Sequence, residues 1–404
     1  MNYRNNPKTG EPLSILGFGC MRLPSKKNNI DYDRSEAMII DAIEKGVNYF
    51  DTAYIYQNGK SEMVLGQVLA KGYRDRVNIA TKMPPHMIRN RDDMDKVLNK
   101  QLQRLQTGHI DYYLIHMLSD LGTWERLRQG GIEGWIADCK TDGRISKIGF
   151  SFHGIQAQFI HLVDAYDWDF VQIQYNYLDE NNQAGKAGLL HAAAKGLPVI
   201  IMEPLRGGKI VNNLPPAVYD IWKNAQPQRS SAEWGLRWVW HHPEATVVLS
   251  GMSDEAQLAE NLRIAAEIET ADAALDPAEL ALFDQARAIL NLKTKVSCTA
   301  CGYCLPCPAG VDIPGCFTLY NEKYALDLKS FKFNYLRNTG AMTAHPGYAS
   351  LCVQCGKCEP HCPQNIPIRK MLAEVAREME GPLFKPMAIL AKKVMRVKPV
   401  NRKK

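Results

Sequence analysis

Eight of the chain's eleven cysteines stand in two short runs, Cys298-Thr-Ala-Cys301-Gly-Tyr-Cys304-Leu-Pro-Cys307-Pro308 and Cys352-Val-Gln-Cys355-Gly-Lys-Cys358-Glu-Pro-His-Cys362-Pro363. Thiolates at C-x₂-C-x₂-C spacing wrap one face of a 4Fe–4S cubane, and a fourth cysteine followed by proline reaches across to a second cluster. A zinc site uses four ligands in two separated pairs, whereas each run here holds overlapping C-x₂-C steps. Disulfides suit small domains in oxidising compartments. The polar start Met1-Asn2-Tyr3-Arg4-Asn5-Asn6 has no apolar secretory core. The expectation is two 4Fe–4S clusters in a cytoplasmic protein. Cys298, Cys301, Cys304 and Cys362 would hold one, and Cys352, Cys355, Cys358 and Cys307 the other. Cys20, Cys139 and Cys316 stand alone and read as small buried apolar residues.

A second group of reactive residues lies in the first 290 positions. Asp51, Lys82, His116 and Ser151 each close a short apolar run, and Tyr56 follows Asp51 by five positions. Reducing a carbonyl by hydride requires a proton donor at the oxygen as negative charge builds there. A free tyrosine, with a pKa of about 10, gives up its proton poorly near neutrality. A lysine cation beside it stabilises the phenolate and lowers that pKa. An aspartate keeps the ammonium charged, and a histidine can donate a hydrogen bond to the carbonyl oxygen. Tyr56 is therefore the expected general acid, Lys82 its tuner, Asp51 the orienting carboxylate and His116 the polariser. His116 alone would read as a satisfied core histidine; four complementary groups at successive run ends point to a site.

These residues need a scaffold that gathers run ends. Continuously apolar runs at 15–21, 47–53, 77–82, 112–116, 147–152, 170–176, 198–205 and 246–252 alternate with helical stretches such as 34–45, 61–71, 92–106 and 184–195. Such runs suit strands covered on both faces. Gly46, Gly72 and Gly196 follow three of the helices, as helix C-terminal glycines do. Eight strand–helix repeats over about 250 residues predict an α/β fold of the (β/α)₈ TIM-barrel kind, whose active sites sit at the C-terminal strand ends. No G-x-G-x-x-G or Walker sequence marks a nucleotide-binding loop. The expected division is a barrel over 1–290, a small, mainly helical ferredoxin-like iron–sulfur domain over 291–380 and a basic segment over 381–404.

No apolar run approaches the ~20 residues of a membrane span. The net charge of +6 is concentrated in residues 381–404, which hold eight basic residues and no acids, leaving −2 for the rest. The body is thus acidic, and neither charge nor motif points to nucleic acid. The basic segment also carries Leu383, Phe384, Met387, Ile389, Leu390, Val394 and Met395. It could touch an acidic partner or a membrane surface; the plainer reading is a helix packed on its own body, or a frayed end. Trp222, Trp234, Trp238 and Trp240 read as core.

The segment Val47-Asn-Tyr-Phe-Asp51-Thr-Ala-Tyr-Ile-Tyr56-Gln-Asn-Gly-Lys-Ser61-Glu62, with Ile79-Ala-Thr-Lys82 and Asp111-Tyr-Tyr-Leu-Ile-His116, resembles the signature and tetrad of the aldo-keto reductases. The resemblance runs from residue 10 to about 270. The cysteine runs resemble those of dicluster ferredoxins, the second in full and the first with one residue fewer before Cys307. Together they resemble a subgroup of oxidoreductases that fuse the two. The resemblance implies NADH or NADPH across the barrel mouth and a small carbonyl substrate. Ser151 and Gln172 resemble the residues that hold the nicotinamide carboxamide. Met202, in Met202-Glu-Pro-Leu205-Arg-Gly207-Gly208, takes the place of the side chain that packs on the ring. Ser250-Gly251, Gln257 and Asn261 match the adenosine frame. The retained histidine favours carbonyl over double-bond reduction. The chain departs at His153, where many relatives have Ser-Asn after the fifth strand, and at Gln257, where NADPH-preferring relatives often place an arginine. No lysine or arginine lies between positions 247 and 262, so strong NADPH preference is not expected.

Hydride carries two electrons and a cubane carries one at a time, so a flavin is the usual converter. No flavin motif is visible. Three readings stay open: an unrecognised flavin, a one-electron redox partner protein that brings one, or clusters that sense redox state or hold the fold. A further alternative is an electron-transfer protein whose barrel is only a docking platform.

Overall fold

The eight apolar runs become eight parallel strands that close on themselves: β1 (Leu16–Gly19), β2 (Tyr49–Asp51), β3 (Asn78–Met83), β4 (Ile110–Ile115), β5 (Ile145–Phe152), β6 (Phe170–Gln174), β7 (Val199–Met202) and β8 (Ala245–Ser250). They follow chain order around the barrel, β8 pairing with β1 through Val248↔Leu16 and Ser250↔Phe18. This computed structural model describes all residues except 27–28, 155, 272, 299–301, 303, 327–329, 342–345, 363 and 395–404. Cys301, Pro363 and residues 395–404 of the basic segment, including Met395, therefore lie outside the described residues.

Side chains alternate along each strand between the lumen and the surrounding helices. Tyr49, Ala80, Tyr112, Leu114, Phe170, Ile200, Val247 and Leu249 fill the lumen, joined by Leu13 of the hairpin Tyr3–Asn5/Pro12–Ser14. Tyr112 packs edge-on against both Tyr49 and Phe170, with ring centroids 5.0 Å apart in each pair. At Gly149 of β5 a Cβ would collide with the Phe170 carbonyl oxygen and lie 2.8 Å from its ring. The missing side chain is what lets Phe170 enter. Removing such a buried ring costs about 3–5 kcal/mol. Two residues beyond Tyr49, Ala80, Leu114, Phe170 and Ile200 stand Asp51, Lys82, His116, Gln172 and Met202. Period-2 alternation thus lifts these five into the lumen's uppermost layer, at the C-terminal strand ends.

The covering helices are locally specified. Asp31 caps α1 (Tyr32–Glu44) by accepting from the Arg34 amide, and Gly46 ends it at φ +92°. After α2 (Lys60–Leu69), Asn90 caps α3 (Arg91–Leu105) in the same way. Asp254 caps α4 (Glu255–Glu267) through the Gln257 amide. Trp234 and Trp240 are fully buried, and Trp222 and Trp238 nearly so.

The chain divides into two compact units, Met1–Gly207 with Arg229–Leu280, and Gly208–Gln228 with Ala281–Lys404. The first contains the whole barrel. The second is built on α5 (Ile313–Ala325), α6 (Phe331–Leu336), α7 (Ile368–Met379) and α8 (Phe384–Val394). Its core includes Ile313, Phe317, Tyr320, Tyr335, Leu372 and Val375, with cysteines of both runs packed against it. Lys209 joins Glu322 of α5 at 2.9 Å within this unit. Among the described residues no helix is long and apolar enough to cross a membrane.

Candidate active site and cysteine pockets

Three strand ends and one turn bring the expected tetrad together. The Lys82 ammonium donates to Asp51 Oδ1 at 2.6 Å, to the Thr52 carbonyl at 2.8 Å and to the Tyr56 hydroxyl at 3.4 Å. The His116 ring stands edge-on to Tyr56, with centroids 5.9 Å apart. Tyr56 is aimed by a turn in which Gln57, Asn58 and Gly59 all have positive φ (48°, 59° and 83°). A Cβ on Gly59 would lie 2.6 Å from the Arg104 guanidinium. Behind the turn, fully buried Glu62 accepts from Thr81 at 2.7 Å, Gln101 at 2.8 Å and Arg104 at 2.9 Å. Gln101 also donates to the Lys82 carbonyl at 3.1 Å. Glu62 was legible only as part of a signature; the structure gives it a task, fixing α2, α3 and β3 around Lys82.

Burial governs the protonation states. It is the largest influence on Lys82 and lowers its pKa, yet Asp51 and Tyr56 together overcome it and leave the lysine raised. The ammonium therefore stays protonated at neutral pH. Burial also raises Asp51 against the pull of Lys82. Tyr56 departs from the sequence expectation. Burial lifts its pKa, and Lys82, the opposing influence, restores only part of the shift, with Asp51 and Glu203 adding to the rise. The phenol is thus held in its acid form. Burial, followed by Lys82, His153 and His86, puts His116 well below the ordinary histidine value. Its neutral ring can still donate one N–H. His153 lies among these groups, depressed by burial and partly restored by Glu203.

The residues matched to a nicotinamide divide into three groups. Gln172 is buried, its Oε1 has no hydrogen-bond partner among the described residues, and its Nε2 touches only the Met202 sulfur, at 3.6 Å. An orphaned amide beside a thioether in the lumen's top layer fits a planar carboxamide-bearing ring. Ser151 is buried next to Gln172 in register, its Oγ accepting from the Met117 amide at 2.9 Å. Buried Asn261 donates to Ser250 at 2.9 Å, whereas exposed Gln257 is turned back onto Ser253. Gly251 is exposed and Leu205 half-buried. At Gly207, with φ +67°, a Cβ would collide with the guanidinium of Arg22.

Arg22 is one basic group the sequence reading missed. Arg34 is another: it pairs in bidentate fashion with Glu255 in the first turn of α4, at 2.9 and 2.6 Å. Both belong to the segment after β1, which is remote in sequence from β8. The clue was barrel closure itself, which makes β1 the neighbour of β8.

In the second unit, Cys298, Cys304 and Cys362 line one cavity with Ile313, Pro314, Phe317, Ile366 and Ile368. Burial raises the Cys358 thiol, and Glu359, Cys352 and Cys307 add to the rise; Cys307, Cys352 and Cys358 all pack against the core of this unit. The last cysteine of the second run thus lines a cavity with two cysteines of the first. Gly302 (φ +78°) and Gly356 (φ +74°), each after the second cysteine of its run, make matching left-handed turns. Cys355 is exposed, and the ten described cysteines form no disulfide. Thiols converging in an apolar lining fit an iron–sulfur cluster. Cys20, Cys139 and Cys316 are buried.

The sequence profile of the aldo/keto reductase family matches residues 15–276, and that of a 4Fe-4S dicluster domain matches residues 297–366. An L-galactose dehydrogenase of Arabidopsis thaliana is 26% identical over 289 residues, covering 65% of this chain and 87% of the plant protein. An aldo-keto reductase of Bacillus halodurans in its holo form superposes with a TM-score of 0.58 at 23% identity, over 71% of this chain and 96% of that one. A Klebsiella pneumoniae aldo-keto reductase in complex with NADPH gives 0.56 at 21%, over 70% and 95%.

Proposed function

The chain belongs to the aldo/keto reductase family and carries a 4Fe-4S dicluster domain, and on that premise we propose that its barrel reduces the carbonyl of a small substrate with NADH or NADPH, while two 4Fe–4S clusters exchange single electrons with a redox partner. The observation that carries the first half is the Asp51–Lys82–Tyr56–His116 constellation, with one ion pair of 2.6 Å buried at the barrel mouth. A bound nicotinamide supplies hydride to the carbonyl carbon. Gln172, Ser151 and Met202 are the residues suited to hold its ring, and Ser250, Gly251, Gln257, Asn261, Leu205 and Gly207 its remainder. Tyr56, kept protonated by burial, gives its proton to the carbonyl oxygen, so that the product is the alcohol. Lys82 stabilises the phenolate left behind, and Asp51 holds Lys82 in place. Neutral His116 donates its N–H to the same oxygen and fixes the carbonyl's approach. The plant relative, an L-galactose dehydrogenase, supports sugars among the first substrates to try.

For the second half, Cys298, Cys301, Cys304 and Cys362 would hold one cluster and Cys352, Cys355, Cys358 and Cys307 the other. A flavin, bound here or brought by the partner, would link the two-electron and one-electron chemistries.

The deciding experiment is NADH oxidation by anaerobically purified protein against a panel of aldehydes, sugars and quinones. Tyr56→Phe removes the proton donor and is expected to cut carbonyl reduction by ~10²-fold or more, with nicotinamide binding by fluorescence quenching nearly unchanged. Turnover near that of the unmodified protein would move the chemistry away from Tyr56. An unmodified barrel inert toward the whole panel would favour the docking-platform reading instead.

A further inference from the structure

Helix α8 shows two faces, and the small unit uses only one. Phe384 and Ala388, four apart, are buried. The Phe384 ring packs on Tyr335 and Tyr348, with centroids at 5.6 and 5.2 Å, and Ala388 lies against Gly340. Leu383, just ahead of the helix, continues with Met387 and Leu390 at i, i+4 and i+7, a second stripe along the same side. These three are 69%, 47% and 61% exposed, and Ile389 is 70% exposed. Single exposed aliphatics are ordinary on a protein surface, but four within eight consecutive positions form a patch that calls for a partner. The charge of the segment, read along the sequence, is one-sided: residues 381–404 hold eight lysines and arginines and no acid, and among the described side chains Lys385 is exposed on the helix.

We propose that this helix seats the iron–sulfur unit on an anionic lipid surface. The composition separates lipid from protein as the occupant. Anchors of protein interfaces are mainly tryptophan, tyrosine and arginine in packed pockets. The exposed stripe contains none of these, only flexible aliphatic and thioether side chains beside lysine. That pairing is what helices lying in the membrane plane present, the apolar face entering the acyl boundary and the bases meeting anionic headgroups. The helix spans eleven residues and could lie on a bilayer but not cross it. Its anchor also has a consequence for the clusters. The Tyr335 hydroxyl beneath Phe384 accepts from the Ala349 amide at 2.9 Å, three residues ahead of Cys352. Docking α8 therefore carries the second cysteine run with it.

The test uses the full chain, purified anaerobically with its iron, and vesicles of phosphatidylcholine alone or mixed with phosphatidylglycerol. Cosedimentation is expected with the anionic vesicles, weak with the neutral ones, and reduced by added salt. Replacing the exposed stripe (Leu383→Ser, Met387→Ser and Leu390→Ser together) is expected to weaken anionic binding roughly tenfold or more, with circular dichroism and iron content unchanged. Replacing Lys392 and Lys393 by glutamate is expected to do the same without touching the apolar stripe. Absence of binding to anionic vesicles would overturn the proposal, as would binding that survives both sets of changes. A dimer that the stripe substitutions dissolve would assign the face to a second copy of the chain, and a purified acidic protein that occupies it in place of lipid would assign it to that protein. Either result sinks the lipid reading.

Discussion

Tyr56 shows how burial and charge divide the work at a single residue. The residue types at run ends were enough to name Asp51, Tyr56, Lys82 and His116, because each has an uncommon role for an apolar strand to carry. The direction of the Tyr56 shift was not readable, because it depends on how much water the barrel mouth excludes, a property of the whole fold. The basic residues near α4 were hidden for a similar reason. No base stands between positions 247 and 262 along the chain, yet Arg34 reaches α4 from α1. Arg34 is committed to Glu255, whose carboxyl it draws down to about 2. No uncommitted base was legible beside Gln257, so NADH is expected to bind at least as well as NADPH. Gln257→Arg should then shift the preference toward NADPH by roughly tenfold, since a charge-assisted contact to the 2′-phosphate contributes about 1.5–3 kcal/mol. Competitive titration by fluorescence quenching measures both. Strong NADPH preference in the unmodified protein would mean that Arg22 or Arg34 already serves the phosphate.

At the scale of elements, apolar runs predicted all eight strands, but several proved shorter than the runs. The run at 15–21 is a strand only over Leu16–Gly19 and continues as a 3₁₀ turn at Cys20–Arg22. The run at 47–53 narrows to Tyr49–Asp51. A strand persists only where both neighbours offer backbone partners, and hydropathy does not record register. The cysteine runs are a different case: their spacing suggested a crossing, in which the fourth cysteine of each run serves the cluster of the other. Double substitution tests that crossing. If Cys362 serves the cluster of Cys298, then Cys298→Ser with Cys362→Ser should lose no more iron than either alone, about four atoms of about eight. Cys352→Ser with Cys362→Ser should lose both clusters, close to the sum of the single losses, as independent sites do. Iron and acid-labile sulfide assays read the difference, and the reverse pattern would mean that each run holds its own cluster.

At the scale of the whole molecule, the two units will answer acid differently, and the barrel's response can be followed separately. Six of the seven tryptophans, Trp124, Trp135, Trp168, Trp234, Trp238 and Trp240, belong to the barrel unit. That unit also holds His86, His116, His153 and His242, each lowered below the ordinary histidine value with burial as the main cause. In the unfolded chain a histidine titrates near 6.5. Above that pH neither state binds these protons, and the full stability of the fold is present. Below it the unfolded chain takes up protons that the folded barrel refuses, so stability falls as pH drops toward the depressed folded values. Glu203 offsets part of this at His153, and the raised Asp51 opposes it only where carboxylates titrate. His116, held well below the ordinary histidine value, should account for about 1 kcal/mol lost between pH ~6.5 and ~5.5, and His153, lowered in the same direction, should add to that loss. Urea unfolding followed by tryptophan fluorescence should therefore show a lower midpoint at the more acid pH. His116→Asn, which cannot take up the proton, should remove the His116 share of that drop. A midpoint that holds or rises on acidification would show that the mouth histidines are not kept neutral by the fold, and with them the electrostatic picture of the barrel mouth would fail.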